Sequence, residues 1–151
     1  MKSILFLFLV LATVIFDVSA DVYFEQPLSF GTIVIRDNSI QSSVTVPTYG
    51  HSTSSGQLLI IKPGQAAEMV ITDYPPYVDL SITPMLPVIT TVASGDTEQF
   101  TLSEIYIEPN IRTDSAGMAM TQMGGKLMTS GNGKHYLNTS YQAVFYLDIS
   151  Y

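Results

Sequence analysis

The chain has 151 residues, with 13 Asp or Glu against 6 Lys or Arg, and it contains neither Cys nor Trp. The net charge of −7 argues against a nucleic-acid-binding protein, because phosphate contacts need a basic face. The lack of cysteine excludes disulfides, thiol catalysis and thiolate metal sites.

The first 20 residues have the pattern of a secretory signal peptide. Lys2 supplies a positive charge, an apolar run covers residues 4–16, and small side chains occupy residues 18–20. The run of about 13 residues is too short to span a bilayer, which needs ~20. We therefore predict cleavage after Ala20, one exported domain over residues 21–151, and no transmembrane anchor after cleavage. The predicted location is the periplasm, the cell surface or the extracellular space.

Short β-branched and aromatic runs between Gly and Pro residues predict strands along the rest of the chain. Residues 28–35 form the first, and its apolar alternation slips at Gly31, which indicates a β-bulge. A strand over residues 40–46 precedes a Ser/Gly/Thr loop over residues 49–56. The later predicted strands are 58–61, 69–71, 78–82, 100–107 with a second slip near Ser103, and 124–128.

The strongest pattern is at the C-terminus, where every second side chain is apolar or aromatic. These residues are Tyr141, Ala143, Phe145, Leu147, Ile149 and Tyr151. The strict period of two predicts one long strand over residues 141–151 with one buried face. About eight short strands in a domain of this size predict an all-β fold, a two-sheet antiparallel β-sandwich.

Residues suited to catalysis are few, so the chain is not predicted to be an enzyme and no cofactor is expected. The two histidines, His51 and His135, both fall in Ser/Gly-rich loops, where a lone histidine is more often solvated than catalytic. No nucleophile elbow, phosphate-binding loop or zinc-protease motif is present.

One methionine string, Met118, Met120 and Met123, has ligands suited to Cu(I). The alternative is ordinary packing, since methionine adapts to core gaps, and no metal site is predicted. Nine tyrosines leave open an aromatic face for a glycan, although tyrosine also suits strands generally. Residues 138–140 fit a glycosylation sequon and equally fit a polar turn.

Three segments carry a resemblance to a known bacterial family. They are Leu28-Ser-Phe30-Gly31-Thr-Ile33, Gly124-Gly125-Lys-Leu127, and the alternating end from Ser140 to Tyr151. Together they resemble the domain-of-unknown-function family 4402. The small secreted domains of that family are similar in pattern to spore coat U and archaic chaperone–usher pilin subunits.

The resemblance implies an immunoglobulin-like sandwich with a structural or adhesive role in a pilus or fimbrium. It also implies that one sheet lacks a strand, which a periplasmic chaperone and then a neighbouring subunit supply by strand addition. Val22 and Phe24 would be donor residues, and the 141–151 strand would line the acceptor. The expected partners are therefore further copies or sister subunits and a chaperone. Phe30, Gly31, Gly124 and Gly125 would be structural.

Two other functions stay open on the sequence alone. The first is a self-complete secreted or surface sandwich that binds a ligand such as a glycan on a host surface. The second is a small outer-membrane barrel, because the chain ends in an alternating strand with a terminal aromatic residue.

Overall fold

The computed structural model describes residues 21–93 and 95–151, and the predicted signal peptide lies outside them. This part of the chain contains strands, turns and loops but no helix. In chain order the strands are β1 (Asp21–Gln26), β2 (Thr32–Ile35), β3 (Ser43–Val46), β4 (Thr53–Ser55), β5 (Leu58–Lys62), β6 (Ala67–Thr72), β7 (Asp79–Pro84), β8 (Val88–Ile89), β9 (Thr91–Val92), β10 (Thr101–Ile107), β11 (Asn110–Arg112), β12 (Ala119–Met128), β13 (Tyr141–Gln142) and β14 (Leu147–Ser150).

The larger sheet is built around β12, whose 10 residues pair with two strands end to end along one edge. The first half of β12 pairs with β6 and the second half with β3, while β10 pairs along its other edge. The sheet continues to β1 beyond β6, to β8 beyond β10 and to β4 beyond β3. All of these pairings are antiparallel.

The facing layer consists of three smaller antiparallel groups, β11-β7-β14, β13-β9 and β2-β5. Two apolar clusters separate the layers. The first places Met69 and Ile71 of β6 against Leu80 and Ile82 of β7. The second is centred on buried residues from four strands and the loop before β10: Val44, Leu58, Phe100, Leu102 and Leu127. Because side chains of both layers meet in these clusters, the fold is an antiparallel β-sandwich, as predicted.

Both predicted slips in alternation correspond to irregular pairing. The register between β2 and β5 shifts between Thr32 and Ile33, directly after Gly31 at φ +76°. The register between β10 and β12 shifts between Leu102 and Glu104. A change in alternation within one strand therefore located both bulges correctly.

Several strand boundaries differ from the prediction. Residues 53–55, predicted as loop, form β4 at the edge of β3, and all three are exposed, so no apolar alternation marks them. β12 begins at Ala119, five residues before the predicted start. Residues 21–26 form β1, an edge strand paired with β6, and not an unpaired extension.

The main difference from the prediction concerns the terminal segment (residues 141–151). Its alternation is real, because odd positions from Tyr141 to Ile149 are half-buried and even positions are exposed. It is nevertheless two short strands, β13 and β14, with residues 143–146 between them. The segment of the same chain that runs beside residues 143–146 contains Pro84 and Pro87. Proline has no N–H to donate, so the hydrogen-bond ladder between this segment and the terminal segment is interrupted there. Within the interruption, Met85 N still donates to Tyr146 O at 2.9 Å.

Candidate functional site

Two strand edges in the smaller layer face each other without pairing. The terminal segment pairs with β7 and β9 along one edge, and β2 pairs with β5 along one edge. Within residues 21–93 and 95–151, no backbone pairing joins β2 to the terminal segment. Each edge therefore presents backbone N–H and C=O groups that can still pair with an additional strand.

An open groove separates these edges. It has a volume of about 1170 Å³, with residues 27–35 forming one wall and residues 136–145 forming the other. Its floor is formed by three residues of the second apolar cluster, Phe100, Leu102 and Leu127. The groove is thus a gap in the backbone pairing of one layer of the sandwich, and wall side chains keep its floor residues buried, at 1–6% exposure.

A second cavity of about 430 Å³ extends the groove toward the chain terminus. Val22 and Phe24 of β1 line it together with residues 143–147 and Ile149. Residues 22–24 thus lie beside the end of the terminal segment, and residues 27–35 beside its beginning. The two walls consequently run in opposite directions along the groove.

The groove and its extension are electrically neutral. None of the residues that line either cavity is Asp, Glu, Lys, Arg or His. The polar atoms of the walls come from the backbone, from hydroxyl groups and from the side-chain amides of Asn138 and Gln142. Such a surface suits an extended apolar segment and is unfavourable for a buried charge.

An aromatic cluster shapes one end of the groove. The ring of Phe100 packs against Tyr136 at a centroid distance of 4.5 Å and edge-on against Tyr141 at 4.9 Å. The Tyr136 hydroxyl donates to Gln99 O at 3.1 Å, and the Tyr141 hydroxyl donates to Leu137 O at 3.0 Å. Burial raises the pKa of Tyr136, which keeps its hydroxyl neutral and able to donate. These contacts fix the positions of Tyr136 and Tyr141 in the groove wall, and they do so without a further strand in the groove.

The two glycines of the Gly124-Gly125 pair both lie where another segment approaches closely. A Cβ at Gly124 would lie 2.2 Å from the carbonyl oxygen of Val46, at the point where β12 changes partner from β6 to β3. A Cβ at Gly125 would lie 3.2 Å from Cζ of Phe30. Gly31 lies elsewhere, against the backbone that follows β5, where a Cβ would meet Lys62 O at 2.1 Å.

The structure places the predicted assembly residues along one path. Tyr141, Ala143 and Phe145 line the groove, while Leu147 and Ile149 continue into its extension. Tyr151 does not face the core: it is exposed, and its ring packs edge-on against Tyr74 at 5.3 Å.

Several wall and floor residues were not among the predicted assembly residues. Ile33 and Ile35 could have been predicted as wall residues, since they occupy alternate positions of a predicted strand. Phe100, Leu102 and Leu127 could not, because they reach the groove from the opposite sheet.

The methionine string does not form a common site. Met123 is 1% exposed and faces the interior of the sandwich, whereas Met120 is 65% exposed on the opposite face of β12. Their thioethers therefore cannot ligate one ion. In the described ranges, no group of three or more His, Asp or Glu side chains could hold a metal ion. His51 and His135 are both exposed.

The tyrosines are divided between structural and exposed positions. Tyr136 and Tyr141 belong to the groove wall. Tyr49 and Tyr77 are exposed in the connections after β3 and after β6, and Tyr146 is exposed on the outer side of the terminal segment. No ring contact joins these three to one another in the described part of the chain.

Residues 21–93 and 95–151 contain no helix of the length and apolarity that crossing a membrane requires. The family model for the domain of unknown function (DUF4402) matches residues 21–151, and the chain belongs to this family. No curated protein and no solved structure matches the chain.

Proposed function

We propose that this member of the DUF4402 family is a structural or adhesive subunit of a bacterial surface fibre, assembled by β-strand complementation. The open groove is the observation that carries the proposal. It combines two unpaired strand edges with an uncharged apolar floor, and these are the two features that strand addition uses. The predicted signal peptide is consistent with export to the periplasm or the cell surface.

The directions of the walls fit an inserted strand. Because the walls run in opposite directions, a strand between them is antiparallel to one wall and parallel to the other. Both ladders can form, since β-sheets accept either arrangement. The terminal segment from Tyr141 to Ile149 would support pairing over about 26 Å, at roughly 3.3 Å per residue.

The side chains of the terminal segment also fit an incoming apolar residue. Ala143 lies between Tyr141 and Phe145 on the inner face, so the smallest side chain stands between two large ones. An apolar side chain of the inserted strand would pack against Ala143, between the two larger side chains. Burying one such side chain stabilises a complex by about 1.5–3 kcal/mol before the entropic cost of association is counted.

Val22 and Phe24 are the proposed donor side chains. They are separated by one residue, so an extended segment turns both to the same side. Both are exposed in β1, which can exchange partners because it is an edge strand followed by Pro27. A periplasmic chaperone would occupy the groove before a neighbouring subunit does.

The first test is to block the groove. In Ala143→Arg a charged side chain enters the groove, whereas the control Ser150→Arg places the same charge at an exposed position of the same segment. Light scattering of the purified 21–151 chain should show polymers for the unchanged protein and the control, and monomers for Ala143→Arg. Circular dichroism checks that both variants are folded. Equal polymerisation of the two variants would contradict the proposal.

The second test removes the donor. Deleting residues 21–27 should abolish polymers but keep the groove walls formed by residues 28–35 and 136–145, so the shortened chain should still bind a chaperone or an added donor peptide. A deleted chain that polymerises like the full chain would show that β1 is not the donor. A stable monomer with every strand edge protected from exchange would refute strand complementation itself.

A further inference from the structure

We infer that the strand filling the groove is β1 of a second copy of this chain, selected by the side chains on its outward face. The inference rests on the proposed function, which already takes β1 as the donor, and extends it by naming the outward-facing residues that select this strand. It depends on the outer surface of the smaller layer, which is separate from the core-facing side of the groove.

The outer face of the β2–β5 pair is apolar. Val34 lies directly opposite Leu59, and the two side chains are 44% and 39% exposed. Ile61 follows on the same face and is 62% exposed. Four consecutive aliphatic residues, 58–61, are typical of a strand that is covered on both sides. The monomer therefore leaves in water a face whose composition suits contact with protein.

An outward apolar residue also stands on the opposite wall. Val144 is 74% exposed, and it lines the groove together with Val34. A strand inserted between β2 and the terminal segment would place one outward side chain between these two valines. Cross-strand neighbours of this kind interact best when all are apolar. The occupant should therefore carry a large apolar residue on its outward face as well as on its inward face.

Positive charges stand on either side of Val34. Arg36 lies two residues after it along the chain, and Lys62 lies opposite Thr32, two residues before it. All three of Arg36, Lys62 and Thr32 are exposed. Along the outward face, Arg36 thus follows the wall on one side of Val34, and on the other side Lys62 stands one strand farther from the groove, on β5.

β1 has the complementary pattern. Asp21, Tyr23 and Glu25 occupy alternate positions, with Val22 and Phe24 on the other side. The two carboxylates cannot face the uncharged groove, so Val22 and Phe24 point inward and Tyr23 points outward. With Tyr23 between the valines, one carboxylate falls toward Arg36 and the other toward Lys62. The pattern is symmetric, so the match holds for either direction of insertion.

The test uses a fluorescent peptide of residues 21–28 and the monomer fraction of the 21–151 chain, separated from polymers by size exclusion, at low ionic strength. Tyr23→Ser in the peptide should weaken binding about three- to tenfold, because the contacts of Tyr23 with two apolar cross-strand neighbours, Val34 and Val144, are lost. Replacing Asp21 and Glu25 by Lys should weaken it several-fold more. Arg36→Glu with Lys62→Glu in the chain should restore the binding of that Lys peptide, and added salt should reduce the charge effect.

The outcomes separate the inference from the proposed function. If Phe24→Ser abolishes binding while Tyr23→Ser and the charge changes have no effect, strand complementation stands and the inference is overturned. If no peptide with alternating apolar residues binds at all, both fail. If an unrelated alternating peptide binds as tightly as residues 21–28, the groove accepts strands but does not select a second copy.

Discussion

The ring of Phe30 lies over Gly125, with Cζ 3.2 Å from the point that a Cβ of residue 125 would occupy. Phe30 belongs to one wall of the groove, and Gly125 belongs to the central strand β12 of the opposite sheet. The missing side chain lets the ring settle onto the sheet backbone and close the groove floor. Two of the three short segments on which the family resemblance was based are therefore in direct contact across the sandwich.

Substitution of Gly125 tests this contact. Gly125→Ala leaves too little space for the ring and for Glu104 O, which would lie 3.1 Å from the new Cβ. We expect a loss of about 1–3 kcal/mol in the free energy of unfolding, the usual cost of overpacking a core. Urea denaturation measures it.

The smaller side chain in Phe30→Leu should recover part of that loss in the double variant. Gly133→Ala serves as a control, since a Cβ there meets nothing within 4 Å and only its positive φ opposes substitution. Additive losses at positions 30 and 125 would show that the two residues do not share one packing constraint.

A buried amide fixes the loop that leads into the groove wall. Asn38 is 5% exposed, and its Nδ2 donates to Lys134 O at 2.9 Å and to Ser130 Oγ at 3.0 Å. Its Oδ1 accepts from Gly131 N at 3.0 Å. Asn38→Ala should lower the free energy of unfolding by about 1–3 kcal/mol, because several hydrogen bonds of a buried side chain are lost, each worth roughly 0.5–1.5 kcal/mol.

The adjacent exposed substitution Ser39→Ala is the matched control for Asn38→Ala. The loop precedes Tyr136 and the rest of that wall, so Asn38→Ala should also weaken the binding of the 21–28 peptide. Calorimetric titration of both variants would measure this. A destabilised Asn38→Ala protein with unchanged peptide affinity would show that the loop does not position the wall.

Much of the fold could be predicted because it depends on alternation within single strands. The 141–151 pattern identified which side chains face the core, and the slip at Gly31 located a bulge. Alternation says nothing about which edges pair, so β1 was not recognised as a strand of the larger sheet. The interruption at residues 143–146 was missed because it arises in the neighbouring segment, where Pro87 follows β7 and β8 pairs with β10 of the other sheet. The groove floor was missed for the same reason, since Phe100 and Leu127 come from the opposite layer.

Stability should fall at alkaline pH. Burial raises the pKa of Tyr136 above its ordinary value of 10.0, and burial also raises the pKa of Tyr74 and Tyr106. A raised pKa in the folded state means that unfolding favours loss of the proton. These hydroxyls therefore contribute fully to the free energy of unfolding below the pKa that tyrosine has in the unfolded chain. That contribution is lost as the pH rises through the pKa of the folded state.

The alkaline effect can be assigned with two variants. Urea denaturation between neutral pH and about pH 11 should show a declining free energy of unfolding that starts near the ordinary tyrosine value. Tyr136→Phe should make that decline shallower, although the variant starts from lower stability because the bond to Gln99 O is lost. Tyr49→Phe, at an exposed residue, is the matched control for loss of a tyrosine hydroxyl. A profile for Tyr136→Phe parallel to that of the unchanged protein would contradict the assignment.

Hydrogen exchange distinguishes an open groove from a closed one without any substitution. In the isolated chain, the amides of residues 143–146 lie between two short ladders and should exchange fast, whereas amides of the central strand β12 should be protected. When the 21–28 peptide or a polymer fills the groove, amides on the free edge of residues 143–146 and on the free edge of β2 should become protected together, because one inserted strand pairs with both. Protection of β2 alone would show that the occupant pairs with one wall only and does not bridge the groove, and unchanged exchange at both edges would show that assembly uses another surface.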